Sequence, residues 1–226
     1  MQRSPTFLNN MAKKLQVKMN SYIPDKVHGA ITATIKQMVR AMLFGAQKIN
    51  RQPLLHAPLQ ERERLVQRQI EFYKKAAATE GGITGAGGFL LGLADFPLLI
   101  SLKIKMLYDI AAFYGFALDD YRERIYLLHI FQLAFSSHQH RREVYLQMRH
   151  WELQKNDLPE DIHQFNWLHF QQEYRDYIDL AKMAQLIPII GAPVGAIVNY
   201  KLLNKLGNTA MNAYRMRWFE NQKLLN

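Results

Sequence analysis

The sequence predicts an all-α protein, a single multi-helix domain with two glycine-rich apolar segments packed together. Three observations carry that prediction. Apolar residues recur at spacings of three and four almost throughout, sustained alternation with period two is missing, and no composition shift or flexible linker divides the 226 residues. An apolar fraction of 49% suffices for a sizeable core. A mean hydropathy of −0.23 argues against a polytopic membrane protein.

Residues 1–27 read as a basic N-terminal arm or a short docking helix, with Phe7, Leu8, Met11 and Leu15 as its apolar side. They lack the continuous apolar core of a secretory signal, so the expected location is the cytoplasm. Ile31, Ile35, Met38, Val39, Met42, Leu43, Ala46 and Ile49 then line one helix face, with Lys36, Arg40 and Lys48 off it. The polar stretch Arg51–Pro58 ends that helix. A second helix is expected from about Leu59 to Thr79, turning Leu65, Val66, Phe72, Tyr73 and Ala76 inward beneath a charged exterior. Gly81 and Gly82 punctuate its end.

Pro97 opens a third helix, through Leu98, Leu102, Leu107 and Tyr108 to about Tyr114, and Gly115 closes it. Asp119 or Asp120 accepts the free N–H groups of the next helix, and Glu123 stands at the capping-box spacing from Asp120. Tyr121–Phe135 and Arg142–Leu153 follow as helices, joined through Ser136–Arg141. A loop at Asn156, Asp157 and Pro159 precedes a longer helix with Trp167, Phe170, Tyr174, Tyr177, Ile178 and Ala181 on one face. The last helix carries Val194, Ile197, Val198, Leu202, Leu206, Ala213 and Trp218.

The two glycine-rich segments are Gly81–Ser101 and Met183–Leu203. Small residues four apart share a helix face and let two backbones approach, which marks Gly85, Gly88, Gly92, Gly191 and Gly195 as close-packing positions. Each segment also holds a polar residue in apolar surroundings, Asp95 in the first and Asn199, beside Tyr200, in the second. Each is about the twenty-residue length a bilayer requires. Asp95, Asn199, Lys201 and the interrupting prolines weigh against a continuous span. A buried hairpin, partial insertion and a true span all stay open.

The chain has no cysteine, which excludes disulfides, zinc–thiolate sites and thiol nucleophiles. GITGAGGF has Phe89-Leu90 where a phosphate loop needs Lys-Ser/Thr, and Leu90 where a dinucleotide fingerprint needs its third glycine. None of the eight histidines falls in an H-E-x-x-H frame, and Ser101, Ser136 and Ser137 lack the G-x-S-x-G elbow. No catalytic residue, metal or cofactor is therefore expected. With 29 Lys and Arg against 19 acids, the chain carries +10 and favours anionic partners. Arg141, Arg142 and Arg149, with His138 and His140, form a basic stretch with Tyr145 and Trp151 near, which suits phosphate contact and base stacking. Arg215 and Arg217, within Tyr214–Trp218, suit an aromatic and cationic belt at a membrane surface.

With these residues in place, the chain resembles the EcsC family of bacterial proteins. The likeness rests on three features in order. Thr84, Gly85, Ala86, Gly88, Asp95 and Pro97 form the first; Tyr114-Gly115 followed by Leu118-Asp119-Asp120 forms the second. Ile187-Pro188, Gly191, Gly195 and Asn199-Tyr200 form the third. The resemblance implies association with a membrane or an ABC-type exporter, and it brings no catalytic residue set. Three readings follow. One is a non-enzymatic, membrane-associated helical protein, peripheral to or partly inserted in the cytoplasmic membrane, whose partner is an anionic lipid surface or a membrane transporter. The second is a soluble hydrolase-like enzyme with a pocket near Asp95 and Asn199. The third is a nucleic-acid binder.

Overall fold

The computed structural model describes residues 25–44, 51–86, 96–166, 170 and 192–225. As expected, the architecture is all-α, and no β-strand occurs among the described residues. Helix α1 is Asp25–Phe44, α2 Leu59–Ala86, α3 Phe96–Phe113, α4 Tyr121–Phe135, α5 His138–Arg149, α6 Trp151–Gln154 and α7 Ala192–Leu225, with single 3-10 turns at Lys155–Asp157 and Ile162–Gln164.

Helix α1 follows its sequence pattern: Ile35, Met38, Val39, Met42 and Leu43 are buried, while Lys36 and Arg40 face solvent. Ala46 and Ile49, the far end of that expected face, lie outside the described residues. The Tyr108 hydroxyl donates to the Met42 carbonyl at 2.5 Å, satisfying an acceptor in the last turn of α1 and tying it to α3.

The frame of the molecule is the pair α2 and α7. Three contacts set their register: Arg215 Nε donates to Glu63 Oε1 at 2.5 Å, Gly207 lies against Ile70, and Lys74 Nζ sits 4.5 Å from the centre of the Tyr200 ring. Positions rising along α2 meet positions falling along α7, so the helices run antiparallel. A Cβ added at Gly207 would come within 2.7 Å of the Ile70 side chain. This glycine permits the close approach, and it was not among those the sequence singled out.

The pairing corrects two expectations. Helix α2 does not stop at Thr79; it runs to Ala86, with Gly81 and Gly82 inside it. Two interior glycines cost about 1 kcal/mol each relative to alanine, a penalty that packing along a second long helix can offset. The inward line of α2 is also Val66, Ile70, Tyr73 and Ala77, so Phe72 points out at 60% exposure and Arg62, expected on the charged exterior, is buried.

Arg62 has a specific task there. Its guanidinium donates to the carbonyls of Ala57, Leu55 and Phe113 at 2.8, 2.8 and 3.0 Å, pinning the 51–58 connection against the end of α3. Burial lowers its pKa from the ordinary arginine value. Gly115 turns the chain beside it with φ of +92°, where a side chain would meet Arg62 Nη1 at 2.9 Å. Glycine is the residue that adopts this left-handed turn without strain.

Helix α4 starts as expected at Asp120, whose carboxylate accepts the Arg122 N–H at 2.9 Å. The reciprocal half of the capping box does not form, because Glu123 turns into the interior. The helix expected over Arg142–Leu153 is also divided. Helix α5 begins four residues earlier, capped by Ser137, and ends at Arg149; the chain then bends at His150 and restarts as α6. The bend drops Trp151 into the core against Tyr126, with ring centres 5.4 Å apart. Of the helix expected to carry Trp167 to Ala181, Phe170 alone is described, and its ring packs on Phe165 and His129.

Candidate functional site

Of the polar site expected in the glycine-rich segments, Asp95 lies outside the described residues, as do Gly88, Gly92 and Gly191. Gly85 falls in α2 and Gly195 in α7. Asn199 is buried on α7, and Tyr200 is 38% exposed beneath the Lys74 ammonium. Desolvation disfavours the charge on Lys74, but hydrogen bonds to Glu71 and Tyr200 outweigh it and raise its pKa. Tyr200 is thereby part of the α2–α7 seam.

The five arginines expected to meet an anionic surface divide into two groups. Arg217 is fully buried, which overturns its expected surface role. Its Nη1 and Nη2 donate to the two carboxylate oxygens of Glu123 at 2.6 and 2.8 Å, and Nε and Nη2 donate to Glu152 Oε1 at 2.9 and 2.5 Å. Lys155 closes the cluster at 2.6 Å from Glu152, so two cations balance two acids. The rings of Phe116 and Tyr126 lie 3.9 and 4.4 Å from the guanidinium carbon. Burial opposes the charge on Arg217, yet the two carboxylates and Tyr126 hold its pKa above the ordinary value. Burial likewise opposes ionisation of Glu152, and Arg217 and Lys155 together pull its pKa below the ordinary carboxylate value. Arg215 is also committed, to Glu63 and at 3.3 Å to Asn212. An inward-facing cation here needs paired acids, because an isolated buried charge costs several kcal/mol.

Arg141, Arg142 and Arg149 behave differently. Among the described residues none of the three has a carboxylate partner, and Arg141 Nε is buried without a hydrogen-bond acceptor. Arg141 and Arg142 stand at the start of α5, at the rim of a groove of about 550 Å³ between α5 and α7. Leu133, Met148 and Met216 supply its apolar wall; Thr209 and Asn212 contribute polar groups from α7. Tyr145 and Lys205 complete the rim, and no acidic side chain occurs among the described lining residues. Arginine-rimmed, apolar-walled clefts of this size fall in the ~300–1,000 Å³ range of small-molecule sites.

The outward face of α5 continues from that rim. Arg142, Tyr145, Leu146 and Arg149 recur at helical spacing and are all exposed, with Tyr145 at 42% and Leu146 at 47%; Leu153, beyond the bend, is exposed as well. Glu143 and Gln147 are exposed on the flanks. The aromatic partner expected beside these arginines is reduced to Tyr145, since the burial of Trp151 removes it as a base-stacking platform.

Other titratable groups are absorbed by the fold. His129 packs edge-on to Trp151 at 5.7 Å between ring centres, and burial pushes its pKa down to about 4 although the bond to Gln132 resists this. His150 bonds Glu220 at 3.1 Å. No group of three metal-binding side chains occurs among the described residues. Asp109, which the sequence did not single out, accepts from Arg51, Gln69 and Tyr73 at 3.0, 2.6 and 2.8 Å and joins the 51–58 connection, α2 and α3. The sequence signal available for it was an acid on an otherwise apolar helix face, the usual mark of a partnered buried carboxylate.

Fold and groove together define an all-helical protein with a cationic, apolar-walled cleft. The chain belongs to the EcsC protein family, whose family model matches residues 1–219. It is 43% identical over 216 residues to protein EcsC of Bacillus subtilis (strain 168), a match covering 95% of this chain and 89% of that protein. It is 24% identical over 217 residues to the uncharacterized protein YdbA of the same organism, covering 95% of this chain and 79% of that one. No solved structure matches the chain. Among the described residues, no helix is long and apolar enough to cross a membrane.

Proposed function

We propose that this chain is a non-enzymatic protein of the cytoplasmic membrane face, attached peripherally and accessory to an ABC-type exporter. The observation that supports the attachment is the outward face of α5, where exposed cations and exposed apolar side chains alternate on one strip. Cations meet anionic headgroups while Tyr145 and Leu146 reach the boundary between headgroups and acyl chains. The surplus of +10 strengthens the attraction and makes it salt-dependent. The exporter role follows from the resemblance to the family.

Co-sedimentation with vesicles tests the attachment. The protein is expected to pellet with phosphatidylglycerol-rich vesicles at low salt, to be released as salt rises, and to ignore pure phosphatidylcholine. The double change Leu146→Asp with Arg149→Glu is expected to lower the bound fraction about tenfold. Full solubility beside acidic vesicles at low salt would refute the attachment, and binding of generic RNA at the same salt in its place would favour the nucleic-acid reading.

A further inference from the structure

We propose that the groove between α5 and α7 binds a single acyl chain bearing an anionic head, with the head at Arg141 and Arg142 and the chain along Leu133, Met148 and Met216. This goes beyond surface attachment and stands or falls separately from it.

Two properties of the groove carry the inference. The first is charge. Among the described residues neither guanidinium has a carboxylate partner, whereas Arg215 and Arg217 on the facing helix are both committed to acids. Arg141 Nε is buried with no acceptor, a donor whose missing partner is a standing cost until something supplies it. Lys205 adds positive charge at the same rim, but it is already engaged, in part over the Phe135 ring, so the arginines bear the argument. Each guanidinium presents a planar donor fork that matches a carboxylate or phosphate.

The second property is the wall behind them. Methionine side chains bend to follow an irregular ligand; Met216 of α7 and Leu133 of α4 are partly exposed along the groove, and Met148 of α5 backs them from the core. A small inorganic anion would use the arginines and leave this surface unused. A neutral hydrocarbon would use the wall and leave the buried donor unsatisfied. A single-chain amphiphilic anion satisfies both, and a volume of about 550 Å³ suits one chain better than the two of an intact phospholipid. The rim opens onto the exposed strip of α5 through Arg142 and Tyr145, so a ligand could enter from an apposed lipid surface.

The test uses the full chain and soluble probes, with no vesicle present. Calorimetric titration with laurate and with lauroyl-lysophosphatidylglycerol, each below its micelle concentration, is compared with dodecanol. Methyl NMR of Met148 and Met216 reports where the ligand sits. The proposal expects saturable binding of at least one anionic probe, about tenfold tighter than dodecanol, with both methionine methyls shifted. Preference for laurate identifies a free fatty acid as the source, and preference for the lysolipid identifies a membrane lipid product. Arg141→Glu should weaken binding about tenfold or more, and Asn212→Trp, an exposed rim position, should block the groove while the melting curve stays near that of the parent. Leu146→Asp with Arg149→Glu should leave laurate binding unchanged even where it abolishes vesicle attachment. Equal affinity for dodecanol, unshifted methionine methyls, or full binding by a folded Asn212→Trp protein would each overturn the proposal.

Discussion

Arg217 and Arg141 come from stretches that look alike in sequence, each a run of arginines beside aromatic residues, and they stand on facing helices. One is closed off completely, with two acids, a neighbouring lysine and a cage of rings around it. The other stands at the edge of an open groove, and no acid accompanies it among the described residues. The difference lies in what surrounds each cation. Where α4, α6 and α7 converge, Glu123 and Glu152 arrive from separate elements to neutralise Arg217. Where α5 meets α7, the neighbours are methionine, leucine, neutral polar groups and further cations, with no acid among the described lining residues. A basic surplus therefore serves two purposes in one molecule, internal cross-linking and an exposed positive surface.

The largest effect expected from testing this contrast is on the closed side. Arg217→Met leaves Glu123 and Glu152 buried with Lys155 as their remaining cation, and removing one partner of a buried pair costs ~3–5 kcal/mol. Denaturant unfolding should show that loss, accompanied by a fall of roughly 10 °C in melting temperature. Adding Glu123→Leu should recover about half of it. If the single variant unfolds like the parent, the cluster is not a structural tie.

An intermediate effect concerns protons, which the closed side should exclude. His129 has its pKa lowered by burial from 6.5 to about 4. Between those values the unfolded chain binds the proton and the folded chain does not, so stability is full above pH 6.5 and falls as pH drops towards 4. The loss is on the order of 2 kcal/mol after allowing for partial exposure. Glu152 acts in the same direction at lower pH, because its depressed pKa contributes stability that is lost on acidification. The imidazole of His129, followed by NMR, should remain neutral at pH 6; a midpoint near 6.5 would contradict its burial.

The smallest effect is the most informative. Arg141→Met removes a cation from the open side together with its unsatisfied buried donor, so stability should change by less than about 0.5 kcal/mol or rise slightly. A loss as large as that of Arg217→Met would mean that Arg141 belongs to the architecture and that the two regions do not differ in kind.

Much of the fold was legible in local pattern. The face of α1, the cap at Asp120, the turn at Gly115 and the all-helical class follow from apolar spacing and from what backbone groups require at helix ends. These depend on residues within one or two turns of each other. The candidate site was legible only in part: Arg141, Arg142 and Tyr145 were marked as a basic, aromatic stretch, while the methionine wall from α5 and α7 was not, because its members lie far apart in the chain.

The chain's own composition and periodicity thus determined that it is helical, basic and free of cysteine chemistry. Short motifs standing in order carried its resemblance to the family. Tertiary structure decided which side of each helix faces inward. It carried α2 through two glycines, exposed Phe72 and buried Arg62, and set Gly207 against Ile70. It also separated Arg217 from Arg141. The physical reason is that a charge is interior or exterior according to whether opposite charges from other elements reach it, and local spacing carries no record of those distant partners.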